Sequence, residues 1–326
     1  MREETAKKTA FLALTVLLTF LFSWLIGNAD FFSTAVLALI VGVFCWDIEE
    51  YCDLLKKENH KKNFEKIHEN LKFRKGKVSA YIINMDKSKD RWKFVSSQVE
   101  QLNIPFERVS AVNGKAITKK DWKEIVDEKS FKDFFKMLPE LGTIGCSLSH
   151  EKVWRQFLAS DNEFAVVFED DVKFDPTKLY DIISAVIENK SLWDLVGFEL
   201  NHYGYPQKIA RLSEMEFLVF YMTNVKHSGA YMINREAAKR LLEKFYPIKM
   251  PLDHYFTRSW EFGLKFCGVE PRLVEQKFGD SEIKCDISEK FEDGKTLITN
   301  LIYNIYTAFM QTAYNFLLYL SSRRRL

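Results

Sequence analysis

The chain has 326 residues, 47% hydrophobic and 28% charged, with 47 Lys and Arg against 45 Asp and Glu. That hydrophobic share and a net charge of +2 exclude an intrinsically disordered chain and leave no basic excess for bulk nucleic-acid binding. Seven prolines and 13 glycines exclude collagen-like and low-complexity classes.

The charge is uneven along the chain. Residues 9–46 hold one charged side chain, Asp30, and residues 296–322 hold none. The first apolar run, Thr9–Gly27, spans roughly 28 Å as a helix, close to a bilayer core. Gly27-Asn28-Ala29-Asp30 is a turn signal, and Phe31–Trp46 is a second apolar run. Residues 1–46 are therefore expected to form a membrane hairpin, with a single span or a signal peptide as the alternatives. Two acids in the leader and the lack of a small-x-small cleavage site disfavour the signal peptide. Arg2, Lys7 and Lys8 precede the first run, Lys56, Lys57, Lys61, Lys62 and Lys66 follow the second, and the turn has neither Lys nor Arg. Both basic flanks then lie on the cytoplasmic side. Five cysteines, at 45, 52, 146, 267 and 285, have no C-x-x-C spacing, which suits a reducing compartment. The expected location is the inner membrane, with the main domain facing the cytoplasm.

Residues 47–76 read as a charged helical linker, with Tyr51, Leu55, Phe64, Ile67 and Leu71 at helical spacing. From 77 to 295 strands and helices alternate. Lys77–Met85 is a buried strand, and Asp86 and Ser88 offer N-cap oxygens for a helix to about Gln101. After Pro105, Phe106–Val112 returns as a strand. Ser147–Leu158 reads as a helix, Phe164–Phe168 as a strand, Leu179–Asn189 as a helix and Asp194–Leu200 as a strand. Gly229–Ile233 is a strand, followed by the helix Arg235–Phe245. The order predicts an α/β fold with a mostly parallel sheet and a ligand site at the strands' carboxyl ends. In 296–326, Asn300, Asn304, Thr307, Gln311 and Asn315 form a polar stripe on an apolar helix that ends in Arg323-Arg324-Arg325. An amphipathic helix lying in the membrane plane is expected, with a helix packed on protein or a span as alternatives.

Three segments carry chemistry. Phe164–Phe168 runs directly into Glu169-Asp170-Asp171, which sets carboxylates at a strand end. Such a cluster repels itself, and Mg²⁺ or Mn²⁺ relieves the repulsion through oxygen ligands and can also hold a diphosphate. On an extended chain Glu169 and Asp171 share a face. An acidic helix start is the plainer alternative. In Ile82–Arg91, the strand, turn and helix place Arg91 where it could pair with phosphate. In Gly142–Trp154, Gly142 and Gly145 permit close backbone approach, Ser147 or Ser149 could cap a helix, and His150 could donate to a diphosphate or be structural.

Seven blocks in order resemble glycosyltransferase family 25, the lipopolysaccharide and lipooligosaccharide glycosyltransferases. Ile83-Asn84-Met85-Asp86 with Arg91 resembles the family's I-N-L-D-x-x-x-x-R, with Met for Leu. Val109–Gly114 resembles its A-V-[DN]-G turn, and Gly142–Trp154 its G-x-x-G-C-x-x-S-H-x-x-x-W. Glu169–Val172 resembles E-D-D-V, Ser228–Ile233 the G-T-x-A-Y-x-I strand, and Pro251-Leu252-Asp253 the P-x-D block. Pro271, Val274, Gln276 and Ser281-x-Ile283 resemble the closing strand and loop.

The resemblance implies a GT-A-like nucleotide-sugar domain and a UDP-sugar donor, UDP-galactose first. The implied acceptor is a sugar of a lipopolysaccharide or other lipid-linked glycan. It assigns Asn84, Asp86, Arg91, His150 and Asp170 to the donor, and Glu169 and Asp171 to the metal. Inverting transfer needs a carboxylate base, for which Asp253 is the first candidate and Glu199 the second. Asp253 could instead cap a helix His254–Phe262, and His254, His227 or His202 could add a metal ligand. A sugar-nucleotidyl transferase is the rival enzyme, but it would want a Gly- and basic-rich phosphate loop where Asn84-Met85-Asp86 stands. A non-catalytic membrane scaffold on the same fold is the rival outside enzymes.

Overall fold

The computed structural model describes residues 77–202, 204–277 and 294–323, all within the second of the chain's two units, Phe73–Leu326. The expected hairpin over 1–46, the linker over 47–76 and residues 324–326 lie outside the described residues. Among the described residues, no helix is long and apolar enough to cross a membrane.

The domain opens with β1 (Val78–Asn84), α1 (Lys89–Val99) and β2 (Phe106–Ser110). Two short helices, α2 (Lys119–Ile125) and α3 (Glu128–Phe135), precede the long α4 (Leu141–Ala159). β3 (Phe164–Glu169) and β4 (Val172–Phe174) flank the turn at Asp170-Asp171, and α5 (Pro176–Glu188) follows. Next come β5 (Leu195–Gly197), β6 (Asn201–His202), β7 (Pro206–Arg211), β8 (Phe217–Tyr221), β9 (Val225–Lys226) and β10 (Ala230–Asn234). Then α6 (Arg235–Glu243), α7 (Leu252–Thr257) and α8 (Ser259–Phe262) lead to β11 (Phe266–Glu270), β12 (Val274–Gln276) and α9 (Gly294–Arg323).

Eight strands form one sheet in the order β2-β1-β3-β10-β5-β11-β8-β7. Six run one way, and β10 and β8 run against them, so the expected mostly parallel sheet is present with two reversed strands. β1 and β3 are buried nearly throughout, as central strands covered on both faces must be. On one face Tyr81 and Val167 join Trp154 and Phe157 of α4 and Leu241 of α6 in a single apolar cluster. Each such side chain contributes about 1.5–3 kcal/mol on burial. The β3–β10 pairing is antiparallel, and it brings Gly229 against Glu169, whose N–H donates to the Gly229 carbonyl at 2.8 Å.

Two expected boundaries shift. α4 begins at Leu141 rather than Ser147, so Gly142 and Gly145 are helical. Ser147 and Ser149 do not cap it: they donate to the carbonyls of Thr143 and Gly145 one turn back. The glycine is needed at 145 for another reason. A Cβ there would lie 2.7 Å from the Val112 oxygen and 2.9 Å from the Gly114 nitrogen, both backbone. Gly145→Ala should therefore destabilise the domain by about 1–3 kcal/mol in urea unfolding. An unchanged midpoint would mean that the 112–114 loop gives way freely. The expected helix His254–Phe262 is in fact two, α7 and α8, separated at Arg258. Pro251 is the N-cap of α7, so Asp253 sits inside the first turn and is not a cap.

The C-terminal helix corrects the sequence in polarity. Its polar stripe does not face water or headgroups; Thr307, Gln311 and Asn315 are buried against the domain. Asn315 donates to the Tyr221 carbonyl at 2.7 Å, Thr312 to that of Met222 at 2.9 Å, and Asn300 to that of Phe134. Arg258 donates to the Thr307 hydroxyl at 2.9 Å. Asn304 alone of the stripe is exposed, bonded to Asn300 at 3.1 Å.

Candidate active site

The site is built where β1, β3 and β10 end or begin, around the turn after β3. An apolar strand carries the chain through the core and releases it into three acids, which then face different partners.

Asp170 turns toward β1. It accepts from Asn84 Nδ2 at 2.6 Å and from Arg91 Nη1 at 3.2 Å. Asn84 in turn accepts from Arg108 Nε at 2.9 Å and Nη2 at 2.7 Å. Asp86 is tied to Arg108 at 2.9 Å and to the Ser110 hydroxyl at 2.9 Å. Of the five residues assigned to the donor, Asn84 and Asp170 are thus buried and mutually bonded; they brace the turn. Arg91, half-buried, lies 4.0 Å from Asp171 as well, so it borders the acids.

Glu169 and Asp171 do not lie on a continuous extended strand, because the chain turns after Glu169. They still interact: the charge on Glu169 is among the causes that push up Asp171. Burial first, then Glu169 and Asp170, raise the Asp171 carboxyl to about 6, against the bond from Gln276 and the charge of Arg91. Its Oδ2 accepts from Gln276 Nε2 at 2.9 Å, and its Oδ1 is buried with no partner. β12 delivers Gln276 by pairing with β4. Burial also pushes Glu169 up, but His150, Ser228 and His227 outweigh it and hold that carboxyl below its ordinary value.

His150, assigned to the donor from the sequence, is turned inward onto protein partners. It is fully buried, with Nδ1 2.9 Å from the Tyr231 hydroxyl and Nε2 3.3 Å from Glu169 Oε1. Trp154 Nε1 donates to the same Tyr231 oxygen at 2.9 Å. One assignment of protons satisfies all four groups: Trp154 donates to Tyr231, Tyr231 to His150 Nδ1, and His150 Nε2–H to Glu169. His150 therefore positions Glu169.

Opposite lies a second group. Glu199 is 2% exposed; its Oε1 is 2.7 Å from His227 Nδ1 and its Oε2 accepts from the Gly229 N–H at 3.3 Å. Asp253 Oδ2 accepts from the His227 N–H at 3.4 Å. His227 has a left-handed backbone, φ 80°, uncommon away from glycine. Sequence reasoning reached His227 only as a spare metal ligand, and nothing in its neighbours signals that conformation. His254 is half-buried, its ring 4.7 Å from Phe135, and desolvation lowers it below the ordinary imidazole value. His202 lies at the edge of the described residues and its side chain is not among them.

The Glu199 bond raises His227 above its ordinary 6.5, opposed by burial and helped by the charges of Glu199, Asp253 and Glu169. A raised histidine stabilises the fold fully below 6.5 and loses that contribution as pH rises through its folded value. Glu199→Gln should move the His227 titration, read from the imidazole resonances, to lower pH. It should also shrink the acid-side stability gain. An unmoved titration would break the assignment of Glu199 as the main cause.

Two donor sets could hold a cation. Cys146, His150 and Glu169 have ligand atoms within 4.8 Å of one another. In that trio burial pushes the Cys146 thiol well up, keeping its proton, and His150 has both nitrogens engaged. The pair Glu169 and Asp171 fits a hard divalent ion better, with one ionised carboxylate and one buried, unpartnered oxygen.

Residues 77–256 match the model of a protein family described as glycosyltransferase family 25, LPS biosynthesis protein. Procollagen galactosyltransferase 2 of Homo sapiens is 26% identical over 220 residues, which is 60% of this chain and 34% of that protein. A glycosyltransferase 25 family member of Aedes aegypti is 25% identical over 192 residues, 55% of this chain and 30% of that one. The chain thus spans about a third of the length of the curated relatives it matches. Among solved structures, a glycosyltransferase involved in glycosylation of the major capsid of PBCV-1 aligns with 70% of this chain and 99% of its own. The TM-score is 0.36 at 10% identity.

Proposed function

The chain belongs to glycosyltransferase family 25, and from that premise we propose that it moves a hexose, galactose, from a UDP-sugar to a sugar of a lipid-linked glycan. The observation that carries this reading is the acid arrangement at the end of β3. Glu169 is held ionised, Asp171 keeps an oxygen unpartnered, and Asp253 stands across from them. The galactosyltransferase names of its relatives support the donor.

In this reading the acceptor hydroxyl attacks the anomeric carbon as the bond to the diphosphate breaks, and Asp253 takes the hydroxyl proton. Glu169 and Asp171 would hold Mn²⁺ or Mg²⁺, which supplies positive charge for the departing diphosphate. Arg91, at the border of the acids, adds fixed positive charge there. Asn84, Asp170 and Arg108 keep the turn rigid, and the Trp154–Tyr231–His150 chain orients Glu169. His227, whose pKa the Glu199 bond raises, lies close enough to Glu169 that its positive charge helps hold that carboxyl down.

A site on the cytoplasmic side of the inner membrane is part of this reading, supported by the unpaired thiols of Cys146 and Cys267. Its test is turnover of a UDP-sugar panel by purified protein, with a lipid-linked glycan acceptor, with and without Mn²⁺. UDP-galactose should be consumed fastest, and only with metal. Turnover of no donor at all would favour the non-catalytic scaffold.

A further inference from the structure

α9 presents its two faces in an order opposite to that of an ordinary surface helix. The inward face carries Asn300, Thr307, Thr312 and Asn315, which bond to the domain's own carbonyls and to Arg258. The outward face is hydrocarbon. Ile298, Ile302, Ile305 and Phe309 stand one above another at helical spacing and are 62 to 68% exposed. Leu301 and Leu317 extend the strip on either side, at 60% and 65%. From 297 to 320 it runs about 36 Å along the helix axis. Soluble surfaces do not leave an apolar strip of this length uncovered without a partner.

We propose that this face of α9 lies flat on a phospholipid bilayer, with its aliphatic and aromatic side chains in the boundary between headgroups and acyl chains. Three features select lipid as the occupant. Residues 296–322 contain no charged side chain, so the strip lacks the polar rim that sets register between two protein surfaces. The sequence then ends Arg323-Arg324-Arg325-Leu326, a basic cluster at the end of the strip that matches anionic headgroups. On the opposite side Asn315 bonds to the Tyr221 carbonyl and Gln311 is buried, which fixes the helix to the domain, so it rests on a membrane and does not cross one.

The consequence for the site is spatial and rests on the transferase reading. Tyr303 of α9 stacks on Phe134 at 4.1 Å and meets Phe135 edge-on at 6.0 Å. Phe135 meets His254, the neighbour of Asp253, at 4.7 Å. These ring contacts join α9 to the helix that carries Asp253, so a lipid-linked acceptor would reach the site from the α9 side of the domain.

The test uses the whole 326-residue chain carrying a benzophenone side chain at position 305, at 309 or, as a control at an exposed position of α6, at 239. Each is irradiated with vesicles of phosphatidylethanolamine and phosphatidylglycerol, and the products are weighed by mass spectrometry. Lipid adducts are expected at 305 and 309 and not at 239. An Ile302→Glu, Ile305→Glu double variant should lose the adduct at 309 while keeping its melting temperature. Adducts to a second copy, adducts to another peptide of the same chain, or no adduct at either position would each overturn the proposal. The readout needs no sugar turnover, so it fails separately from the transferase reading.

Discussion

Asp253→Asn is expected to lower the turnover number by about 10²–10⁴-fold, the usual contribution of a positioned general base. Asn has the same shape and can still accept from the His227 N–H, so the 3.4 Å contact and the fold should survive. What it loses is the capacity to take a proton. The donor's KM should stay close to wild type, because Asp253 is asked to act on the acceptor hydroxyl. Glu199 is a poorer base by geometry. It is nearly sealed from solvent, and both its oxygens are engaged, by His227 and by the Gly229 N–H. Steady-state kinetics with a saturating acceptor, on folded protein checked by circular dichroism, separates the two. If Asp253→Asn retained full turnover, the base would have to be sought elsewhere.

Asp171→Asn should do two opposite things. Without metal, the folded carboxyl titrates at about 6 against an ordinary 3.8. Such a group favours folding fully below 3.8, and that favour is lost as pH rises from there through about 6. At neutral pH the wild type thus carries a penalty on the order of 2 to 3 kcal/mol, from burying a charge beside Glu169. Asn carries none. In urea unfolding the variant should match wild type near pH 4 and exceed it by that margin above pH 7. Mn²⁺ should then stabilise wild type and not the variant, since binding to the native state alone raises stability. Transfer by the variant should fall together with metal response. A variant less stable than wild type at neutral pH without metal would show that the buried oxygen bears no charge.

Much of this framework can be read in the residues themselves. β1 and β3 are continuous apolar runs ending at polar turns, and such runs have few alternatives to a buried strand. The acids after Phe168 announce the site for the same reason. Strand direction is another matter: an apolar run reads alike both ways, so nothing in Ala230–Asn234 marks β10 as reversed. Gly142 and Gly145 look like loop residues, yet both lie in the first turns of α4, and at 145 glycine lets the helix pass within contact of the 112–114 backbone. The periodicity of α9 reveals a polar stripe but cannot say which side meets protein. Here the carbonyls of Phe134, Tyr221 and Met222 needed donors, and the stripe turned inward. The chemistry of His150 and Asp170 suits a nucleotide-sugar, but their residue types do not announce that both are buried and bonded to protein groups.

The hydrogen-bonded run from Trp154 through Tyr231 and His150 ends on Glu169. It connects a fully buried indole to the carboxylate at the end of β3. An indole proton resonates far from the backbone crowd, so Trp154 is a spectroscopic reporter already wired to the site. Its shift registers, from inside the protein, whatever arrives at Glu169.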